Sequence, residues 1–305
     1  MAGAVAVSDR RKPVLVVGAV NLDSVLRVSA LPREGETVLA SSSQRVGGGK
    51  AANQALAIAR AGCPVRLWAA VGDDDAARLA LAGLADDGVD LSLILRTTDV
   101  GTGIAIVCVA DDGGNLIVVD PAANGVLPPP PADVVEQSSA VVVSLEAPVP
   151  AVRGTLQMAR SAGRLTAMNA SPYMPELTEL VGLADVLVVN QGEAAALGFS
   201  DARSGANALT ATVVVTRGAQ GAEGSDGAHT WVVEAPVVTA IDTVGAGDAF
   251  LGAFVAAVVD GSDLATSLRY AVAAGSLAVQ QQGARTSPGR ADIVALAATL
   301  TAAAR

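Results

Sequence analysis

The chain has 305 residues, of which 51% are hydrophobic and 16% are charged, and its net charge is −10. This length and hydrophobic content suffice for a sizeable core and exclude overall disorder. A pI of about 4.6 and the presence of only two lysines, Lys12 and Lys50, argue against nucleic acid as a partner, because phosphate backbones are bound by clustered cations.

The two cysteines and the single histidine limit the chemistry available to the chain. Cys63 and Cys108 have no C-x-x-C spacing, which favours buried structural thiols in a reducing compartment. His229 alone cannot form a histidine-rich zinc site, and its place between a glycine turn and a strand favours an exposed loop. Residues 1–11 have no apolar core of signal-peptide length, and no apolar run of about 18 residues follows. We therefore expect a soluble, cytoplasmic protein without a membrane partner.

Apolar strand-like runs alternate with alanine-rich helical runs along the chain. The strand-like runs cover residues 14–17, 65–71, 140–145, 165–168, 186–189 and 213–216. The helical runs cover residues 50–61, 74–86, 149–162, 192–197, 246–259, 264–281 and 291–303. This alternation predicts an α/β fold in which helices cover a mostly parallel sheet.

Two regions interrupt the alternation and contain no helix. Residues 24–45 and 101–121 have the pattern of β ribbons joined by polar or glycine turns, the second with a turn at residues 111–115. Together they predict a small antiparallel sheet that is discontinuous in sequence. Such a sheet at the carboxyl edge of the main sheet would form a lid over a ligand site.

Residues 242–250, with the sequence D-T-V-G-A-G-D-A-F, stand between a β-like run at 231–238 and an apolar run at 249–259. The glycines predict a turn at the start of a helix, where unpaired backbone N–H groups form an anion site. Asp248 lies within that turn, and a carboxylate there would repel an anion unless it serves as a general base. The residues alone also allow a tight turn with Asp248 as a helix N-cap.

Polar residues also follow the first strand and open the first helix. The segment G-A-V-N-L-D lacks the G-x-G-x-x-G of dinucleotide folds, and its Asn21 and Asp23 either suit sugar hydroxyls or simply form a turn. The run G-G-G-K-A-A-N-Q-A at residues 47–55 places Asn53 on the first turn of a helix that can approach a ligand closely. It is not a Walker A loop, because no Ser or Thr follows the lysine. The two segments together indicate a pocket for a polar ligand.

Further strands end in polar residues at the same predicted edge. Glu146 follows one strand in S-L-E-A-P, and Asn190 and Glu193 follow another in N-Q-G-E. Asn190 and Glu193 suit either a hydrated Mg²⁺ carried by a nucleotide or plain N-capping. The turn T-R-G-A-Q-G at residues 216–221 would bring backbone and the Thr216 hydroxyl against phosphates.

These motifs, taken in order, carry a resemblance that covers nearly the whole chain. They are N-L-D at 21–23, G-G-K-A-A-N-Q-A at 48–55, V-G-D-D at 71–74, T-G-I-A at 102–105, A-A-N at 122–124, L-E-A-P at 145–148, N-A-S-P at 169–172, N-Q-G-E at 190–193, T-R-G-A-Q-G at 216–221 and D-T-V-G-A-G-D at 242–248. In them the chain resembles the ribokinase-like (carbohydrate kinase PfkB) family, and within it the ribokinases. The resemblance implies a single three-layer α/β/α domain over residues 1–305, with the small β lid.

The resemblance implies an ATP-dependent kinase that phosphorylates the hydroxymethyl group of a pentose, with D-ribose as the expected substrate and D-ribose 5-phosphate as the product. Asp248 would be the general base, and the turn Gly245, Ala246, Gly247 and Asp248 would supply the amides of an anion hole. A general base is worth roughly 10²–10⁴-fold in rate, and an anion-hole donor a similar factor. Positioning by the lid and charge neutralisation by Mg²⁺ would supply the rest.

The same resemblance assigns three sets of binding residues. The sugar would contact Asn21, Asp23, Gly49, Lys50, Asn53, Glu146 and Asp248. The nucleotide would contact Asn190, Thr216, Gly218, Gly221, Gly245 and Gly247, with Asn190 and Glu193 near the Mg²⁺ shell through water. An activating K⁺ would lie among Asp242, Val244, Ala278, Gln281, Gly283 and Ser287. The chain departs from the family at Ala51, beside the sugar, and at Val272, where His or Asn often faces adenine.

Two kinds of alternative activity stay open, and the assembly is a separate expectation. Another sugar, such as 2-deoxyribose or fructose, or a nucleoside of the adenosine type could replace ribose, although the 2% aromatic content argues weakly against the apolar pocket that a nucleoside base needs. A non-catalytic sugar-binding regulator is disfavoured, since it would not need a base against an anion hole. The lid edges could pair between two chains, so we expect a homodimer.

Overall fold

The structure is a computed structural model that describes residues 12–174 and 176–305; the segment 1–11, expected to lack a signal sequence, lies outside them. The strands are β1 (Val14–Val17), β2 (Asn21–Val28), β3 (Ser42–Gly48), β4 (Val65–Trp68), β5 (Ala70–Gly72), β6 (Val89–Asp90), β7 (Leu95–Thr97), β8 (Gly103–Ala110), β9 (Asn115–Asp120), β10 (Ala140–Ser144), β11 (Leu165–Asn169), β12 (Val186–Asn190), β13 (Thr212–Thr216), β14 (Ala222–Ser225), β15 (Thr230–Val233) and β16 (Ala302–Ala304).

Helices separate most strands of the main sheet. The α-helices are α1 (Lys50–Arg60), α2 (Asp75–Leu81), α3 (Ala132–Glu136), α4 (Val149–Ser161), α5 (Leu177–Leu180), α6 (Gln191–Ala196), α7 (Ala202–Leu209), α8 (Ala246–Val259), α9 (Leu264–Ala278) and α10 (Arg290–Ala297). Short 3₁₀ helices occupy Ala122–Val126, Val181–Leu183 and Gly218–Gln220. In the part of the chain that the structure describes, no helix is long and apolar enough to cross a membrane.

The main sheet has the strand order β16-β15-β14-β13-β12-β11-β10-β1-β4-β6. Its strands from β6 to β13 pair in parallel, and those from β13 to β16 pair antiparallel. Along β1, Val14 and Val16 belong to one buried cluster with α1, α8 and α9, whereas Leu15 and Val17 belong to another with α4 and α7. The two-residue repeat of a strand sends alternate side chains to opposite faces, so the sheet is covered on both. The predicted three-layer α/β/α fold is confirmed.

A second sheet, with the order β3-β2-β8-β9, contains both predicted ribbons. Each ribbon is an antiparallel pair, β2 with β3 and β8 with β9. The two ribbons meet through β2 and β8, which run parallel, because the first strand of each ribbon lies at the centre of the sheet. This separate sheet is therefore antiparallel within each ribbon and mixed as a whole. The first ribbon spans residues 21–48, beyond the predicted 24–45.

The C-terminal segment differs from its predicted helix at 291–303. The helix α10 ends at Ala297, and the chain then forms β16, which pairs with the outer edge of β15. The prediction was wrong here because alanine favours a helix locally, whereas an open strand edge nearby satisfies the same backbone groups through tertiary pairing. By contrast, β1 and α8 begin and end at the predicted residues.

The helices α1 and α8 lie against each other at Gly252. A Cβ on Gly252 would collide with the Cβ of Ala57, and it would lie 3.0 Å from the backbone nitrogen of Ile58. Because glycine has no Cβ, the two backbones can approach closely. The first turn of α8 consequently lies beside the first turns of α1.

We expect Gly252→Ala to lower the free energy of unfolding by about 1–3 kcal/mol, because the added methyl group overpacks this contact. The loss should appear even though alanine is the better helix former. Urea denaturation measures the difference. Gly182→Ala is a matched control, since no atom lies within 4 Å of its Cβ position. Equal effects of the two substitutions would contradict the close packing of α1 on α8.

Candidate active site

The start of α8 presents unpaired backbone N–H groups. Gly245 precedes the helix with a φ of 78°, and a Cβ on it would collide with the carbonyl oxygen of Ala284, so only glycine fits. The amide of Ala246 bonds back to the preceding loop, whereas the amides of Gly247 and Asp248 have no acceptor among the described residues. No atom lies within 4 Å of the position of a Cβ on Gly247. The turn therefore has the geometry of an open anion site.

The carboxylate of Asp248 is 6% exposed and accepts two side-chain hydrogen bonds from α1. The Nδ2 group of Asn53 donates to its Oδ2 at 3.2 Å, and the Nε2 group of Gln54 donates to its Oδ1 at 2.9 Å. The N-cap of α8 is Gly245, and Asp248 lies within the first turn of the helix, where its side chain makes no capping bond. The interpretation of Asp248 as an N-cap is therefore wrong, and its carboxylate is turned to α1.

The first residue of α1 brings an ammonium group near several carboxylates. Gly49 precedes the helix with a φ of 86°, and the backbone amide of Lys50 donates to Oε2 of Glu146 at 2.9 Å. Burial disfavours the charged ammonium, but nearby carboxylates outweigh burial and raise the pKa of Lys50; they belong to Asp248, Glu146 and Glu193. Burial also raises the pKa of Glu146, against the opposing hydrogen bond and charge of Lys50. The pocket thus concentrates negative charge around one ammonium.

The glycine run at the end of β3 lies between a carboxylate and a guanidinium. A Cβ on Gly48 would collide with the carboxylate of Asp23. A Cβ on Gly47 would collide with the guanidinium of Arg285. Since neighbouring strand residues face opposite sides, the two charges lie on opposite sides of the run. Burial, and then the charge of Glu146, raises the pKa of Asp23 to about 7, although Arg285 opposes the rise.

Asn21 forms part of the joint between the two sheets. It is 3% exposed, and its Oδ1 accepts a hydrogen bond of 2.8 Å from Nδ2 of Asn124. The Oδ1 of Asn124 in turn accepts from the backbone amide of Val20 at 2.9 Å. A Cβ on Gly103 would collide with this amide pair. The structure therefore gives Asn21 a structural bond, and only its amino group is left for a ligand.

Apart from Gly245 and Gly247 at the start of α8, the residues assigned to the nucleotide lie at or just after the ends of β12 and β13. Asn190 and Glu193 form a reciprocal capping box at the start of α6, with bonds of 2.9 and 2.8 Å between side chains and backbone amides. The N-cap interpretation holds for both, and Oε1 of Glu193 has no donor among the described residues. Thr216 ends β13, and Gly218 and Gly221 form the turn after it. Within residues 12–174 and 176–305, no group of three or more His, Cys, Asp or Glu residues could hold a metal ion.

The residues assigned to K⁺ lie in the loop before α8, at the last residue of α9 and in the loop that follows α9. Asp242 joins these loops, because its carboxylate accepts from the amide of Val244 at 3.0 Å and from the amide of Gly283 at 2.9 Å. The carbonyl of Ala278 accepts from the hydroxyl of Thr286 at 3.2 Å. The structure therefore brings the two loops together.

For the remaining predicted residues the structure shows burial and packing but no hydrogen bond of the side chain within the described part of the site. Gln281 is exposed, and Ser287 is 6% exposed, in the same loop after α9. Val272 is 3% exposed and packs in the core cluster with α8, so the structure does not bring its side chain to an open surface. Ala51 is fully buried, and its methyl group lies under Gly18 at the end of β1.

Sequence reasoning assigned no role to Gln54, Asn124 or Arg285, all of which lie at the site. The first two stand inside quoted motifs, so their positions carried a signal that they belong to the site. Arg285 carried none, because its guanidinium reaches back to the carbonyl of Ala80 at 2.5 Å and to that of Gly48 at 3.4 Å. Only the folded chain brings those partners together.

We expect Asp23→Asn to stabilise the protein at pH 8. The pKa of this carboxyl is raised from 3.8 to about 7, so the folded state favours the protonated form. The associated stability is complete below about pH 4 and is lost as the pH rises through 7. The variant should therefore exceed the wild type at pH 8 by about 1–2 kcal/mol, with a smaller gain at pH 5, in denaturant unfolding at both values. Exposed Asp86→Asn serves as the control, and a gain that did not grow with pH would contradict this assignment.

Comparisons with known proteins identify the family of the chain. Residues 11–290 match the pfkB family carbohydrate kinase. The chain is 31% identical over 291 residues to the ribokinase of Haemophilus influenzae, which covers 91% of this chain and 95% of that protein. It is 34% identical over 288 residues to the ATP-dependent ribose-1-phosphate kinase of Halopiger xanaduensis, covering 92% and 96%. A solved structure of Arabidopsis thaliana ribokinase complexed with ribose and ATP superposes with a TM-score of 0.86 at 30% identity, covering 94% of this chain and 98% of that one. The chain belongs to the pfkB family of carbohydrate kinases.

Proposed function

We propose that the chain transfers the γ-phosphoryl group of ATP to the hydroxymethyl oxygen of D-ribose, giving D-ribose 5-phosphate and ADP. Membership in the carbohydrate kinase family supports an ATP-dependent sugar kinase, and the similarity to ribokinases supports ribose as its substrate. The observation that carries the proposal is the buried carboxylate of Asp248 at a helix start with two unpaired amides. A base and an anion site then meet at one point, as phosphoryl transfer to a hydroxyl requires.

In this mechanism Asp248 accepts the proton of the hydroxymethyl group while the sugar oxygen attacks phosphorus. The amides of Gly247 and Asp248 stabilise the negative charge on the transferred group. The sugar would be held against the base by the set Asn21, Asp23, Gly49, Lys50, Asn53 and Glu146. Their mixture of amide, carboxylate and ammonium groups supplies both donors and acceptors to hydroxyls.

ATP would bring Mg²⁺, and the residues at the start of α6 fit only a hydrated ion. The capping box occupies one oxygen of Asn190 and one of Glu193, which leaves Oε1 of Glu193 for a bound water. Hydrated Mg²⁺ on a nucleotide needs only one or two side-chain oxygens. The ion supplies charge neutralisation on the phosphates. Thr216, Gly218 and Gly221 would contact the phosphates from the end of β13.

An activating K⁺ would fit the loops behind the anion site. These loops and the end of α9 offer the Asp242 and Ser287 side chains and the carbonyls of Val244, Ala278, Gln281 and Gly283. Oxygen ligands of this kind suit a hard cation. Asp242 already ties the two loops by its bonds to the amides of Val244 and Gly283. A cation there would brace the turn that begins at Gly245.

The charge of the pocket favours a neutral sugar over a sugar phosphate, although one relative is a ribose-1-phosphate kinase. Asp23, Glu146 and Asp248 place negative charge near the sugar, and the pKa of Lys50 is raised by surrounding carboxylates. The guanidinium of Arg285 lies on the far side of the glycine run from Asp23. A phosphate group already present on the sugar would therefore be repelled by the negative charge of these carboxylates.

The second sheet would act as the lid of one domain that spans the chain. The start of β8 is pinned to the body, because the hydroxyl of Thr102 donates to Oδ1 of Asp74 at 2.6 Å and its amide donates to Oδ2 at 2.8 Å. Asp74 is also the N-cap of α2. The lid would thus move about a fixed base when the sugar binds. The cytoplasm, where ATP is available, is the compartment that we propose.

The outer face of the lid supports a homodimer. Ile106 and Val118 lie directly opposite each other in β8 and β9, and they are 44% and 57% exposed. By strand alternation they face away from the side that carries Asp23. Paired apolar residues on an open sheet indicate an interaction surface. We propose that a second copy of the chain covers it.

The activity is tested by coupled ADP release with Mg-ATP and a substrate panel. We expect turnover with D-ribose, and lower kcat/KM with 2-deoxyribose, fructose, adenosine and ribose 1-phosphate. Replacing Na⁺ with K⁺ should increase the rate if the loops behind the turn bind a cation. No ADP release with any of these acceptors would overturn the proposed function. Preference for ribose 1-phosphate would overturn the charge argument alone.

Asp248→Asn is the matched variant for this assay. It keeps the shape of the side chain but cannot take the proton, so we expect ribose binding measured by calorimetry to persist while kcat falls by about 10²–10⁴-fold. Full activity of this variant would show that Asp248 is not the base.

The dimer is tested by light scattering at micromolar concentration, where we expect twice the chain mass of 30.1 kDa. Val118→Glu places a charge on the proposed interface and should give the monomer. Leu39→Glu is a control, since this apolar residue is exposed in the loop between β2 and β3, outside every strand. A wild-type monomer would contradict the proposal.

A further inference from the structure

The carboxylate of Asp248 is anchored from one side by two consecutive amides of α1. Asn53 donates to Oδ2 at 3.2 Å, and Gln54 donates to Oδ1 at 2.9 Å. Asn53 is 5% exposed and belongs to the set assigned to the sugar, whereas Gln54 is fully buried. Gln54 therefore has no surface that a sugar could touch, and its contact with Asp248 needs a separate account.

Packing alone does not explain a glutamine at this position. The Oε1 atom of Gln54 is buried and has no hydrogen-bond partner among the described residues, as is also true of Oδ1 of Asn53. An unsatisfied buried acceptor costs about 1–3 kcal/mol. Leucine has a similar volume and would avoid that cost in a helix whose neighbours are mostly alanine and leucine. The donor of Gln54, rather than its packing, is what leucine could not replace.

The two anchors differ in what happens to them when a sugar binds. Asn53 lies at the pocket, so a sugar hydroxyl competes for its amide and shares the Oδ2 side of the carboxylate. Gln54 bonds the other oxygen from inside the core, where no substrate reaches. The terminal torsion of an aspartate is broad, so a single shifting anchor would leave the plane of the carboxylate poorly fixed.

We propose that Gln54 is a positioning residue for the phosphoryl transfer: its buried Nε2 group holds Oδ1 of Asp248 and thereby keeps Oδ2 directed at the hydroxyl to be phosphorylated. The proposal rests on the assignment of Asp248 as the base of a sugar kinase. A base displaced by about 1 Å loses on the order of 10²-fold in rate, so the alignment matters most in the transition state.

Gln54→Leu removes the donor and keeps the volume. We expect kcat with ribose to fall about 10–100-fold, which is the usual loss when a residue that orients a metal ligand by a hydrogen bond is replaced. The KM for ribose should change by less than about threefold. The melting temperature should change little, because the loss of the unsatisfied oxygen of Gln54 offsets the loss of a donor to the buried Oδ1 of Asp248. Gln157→Leu, at an exposed position of α4, is the matched control and should leave all three quantities unchanged.

Gln54→Glu keeps the proposal falsifiable if Gln54→Leu fails to fold, and a double variant tests the coupling to Asp248 if it folds. Gln54→Glu keeps the shape but replaces the donor by an acceptor, and kcat should fall at least as far. In an Asp248→Asn background, Gln54→Leu should cause little additional loss, because residues that act as a unit are not additive. A multiplicative loss, or a loss that follows the melting temperature, would reduce Gln54 to a structural role.

The outcomes separate this inference from the proposed function. A wild-type protein without turnover on any sugar would refute the kinase assignment. An active wild type, with Gln54→Leu and Gln54→Glu both within twofold of its kcat, would refute the positioning role alone.

Discussion

The site depends on how closely α1 lies against α8. The contact at Gly252 allows the two backbones to approach, and from it the amides of Asn53 and Gln54 reach the carboxylate of Asp248 at 3.2 and 2.9 Å. Hydrogen bonds of this length do not survive a displacement of about 1 Å. The same approach brings Lys50, the first residue of α1, within the field of the carboxylates. One packing contact therefore sets the positions of Asp248, which we propose as the base, of its two amide donors and of the Lys50 ammonium.

The loop after α9 extends this constraint to other parts of the molecule. The backbone of Ala284 lies under Gly245, and the amide of Gly283 bonds Asp242, so the loop supports the anion site from behind. Its Arg285 crosses to the C-terminal end of α2 and to the carbonyl of Gly48 at the end of β3. Three successive residues, Gly283 to Arg285, thus contact the proposed anion site, the glycine run at the end of β3 and the C-terminal end of α2. A substitution in this loop would therefore affect the structure at all three places.

The sequence predicted those features that local signals determine. The apolar run of β1 and the glycine turn before α8 gave both elements their observed bounds, because strand burial and helix starts are encoded by neighbouring residues. The parallel pairing of β2 with β8 joins residues about 80 apart, and β16 forms only because the edge of β15 is open. The contacts of the Arg285 guanidinium could not be predicted either, since its partners are backbone carbonyls far away in the sequence, and carbonyls carry no sequence signature. Distance along the chain, rather than weak propensity, separates what was predicted from what was not.

The buried carboxylates of the pocket lower the stability of the folded protein, but they suit the binding of a sugar, which is the function that we propose. Burial raises the pKa of Asp23 to about 7 and also raises that of Glu146. The folded state is therefore less stable when these carboxylates are charged. The backbone amide of Lys50 and the distant guanidinium of Arg285 relieve this only in part. Sugar hydroxyls are donors that carry no charge, and they can satisfy such carboxylates where a second phosphate could not. In the proposed complex a neutral polyol would therefore replace the hydrogen bonds to water that these carboxylates lose on burial, and the unpaired amides at the start of α8 would bind the triphosphate.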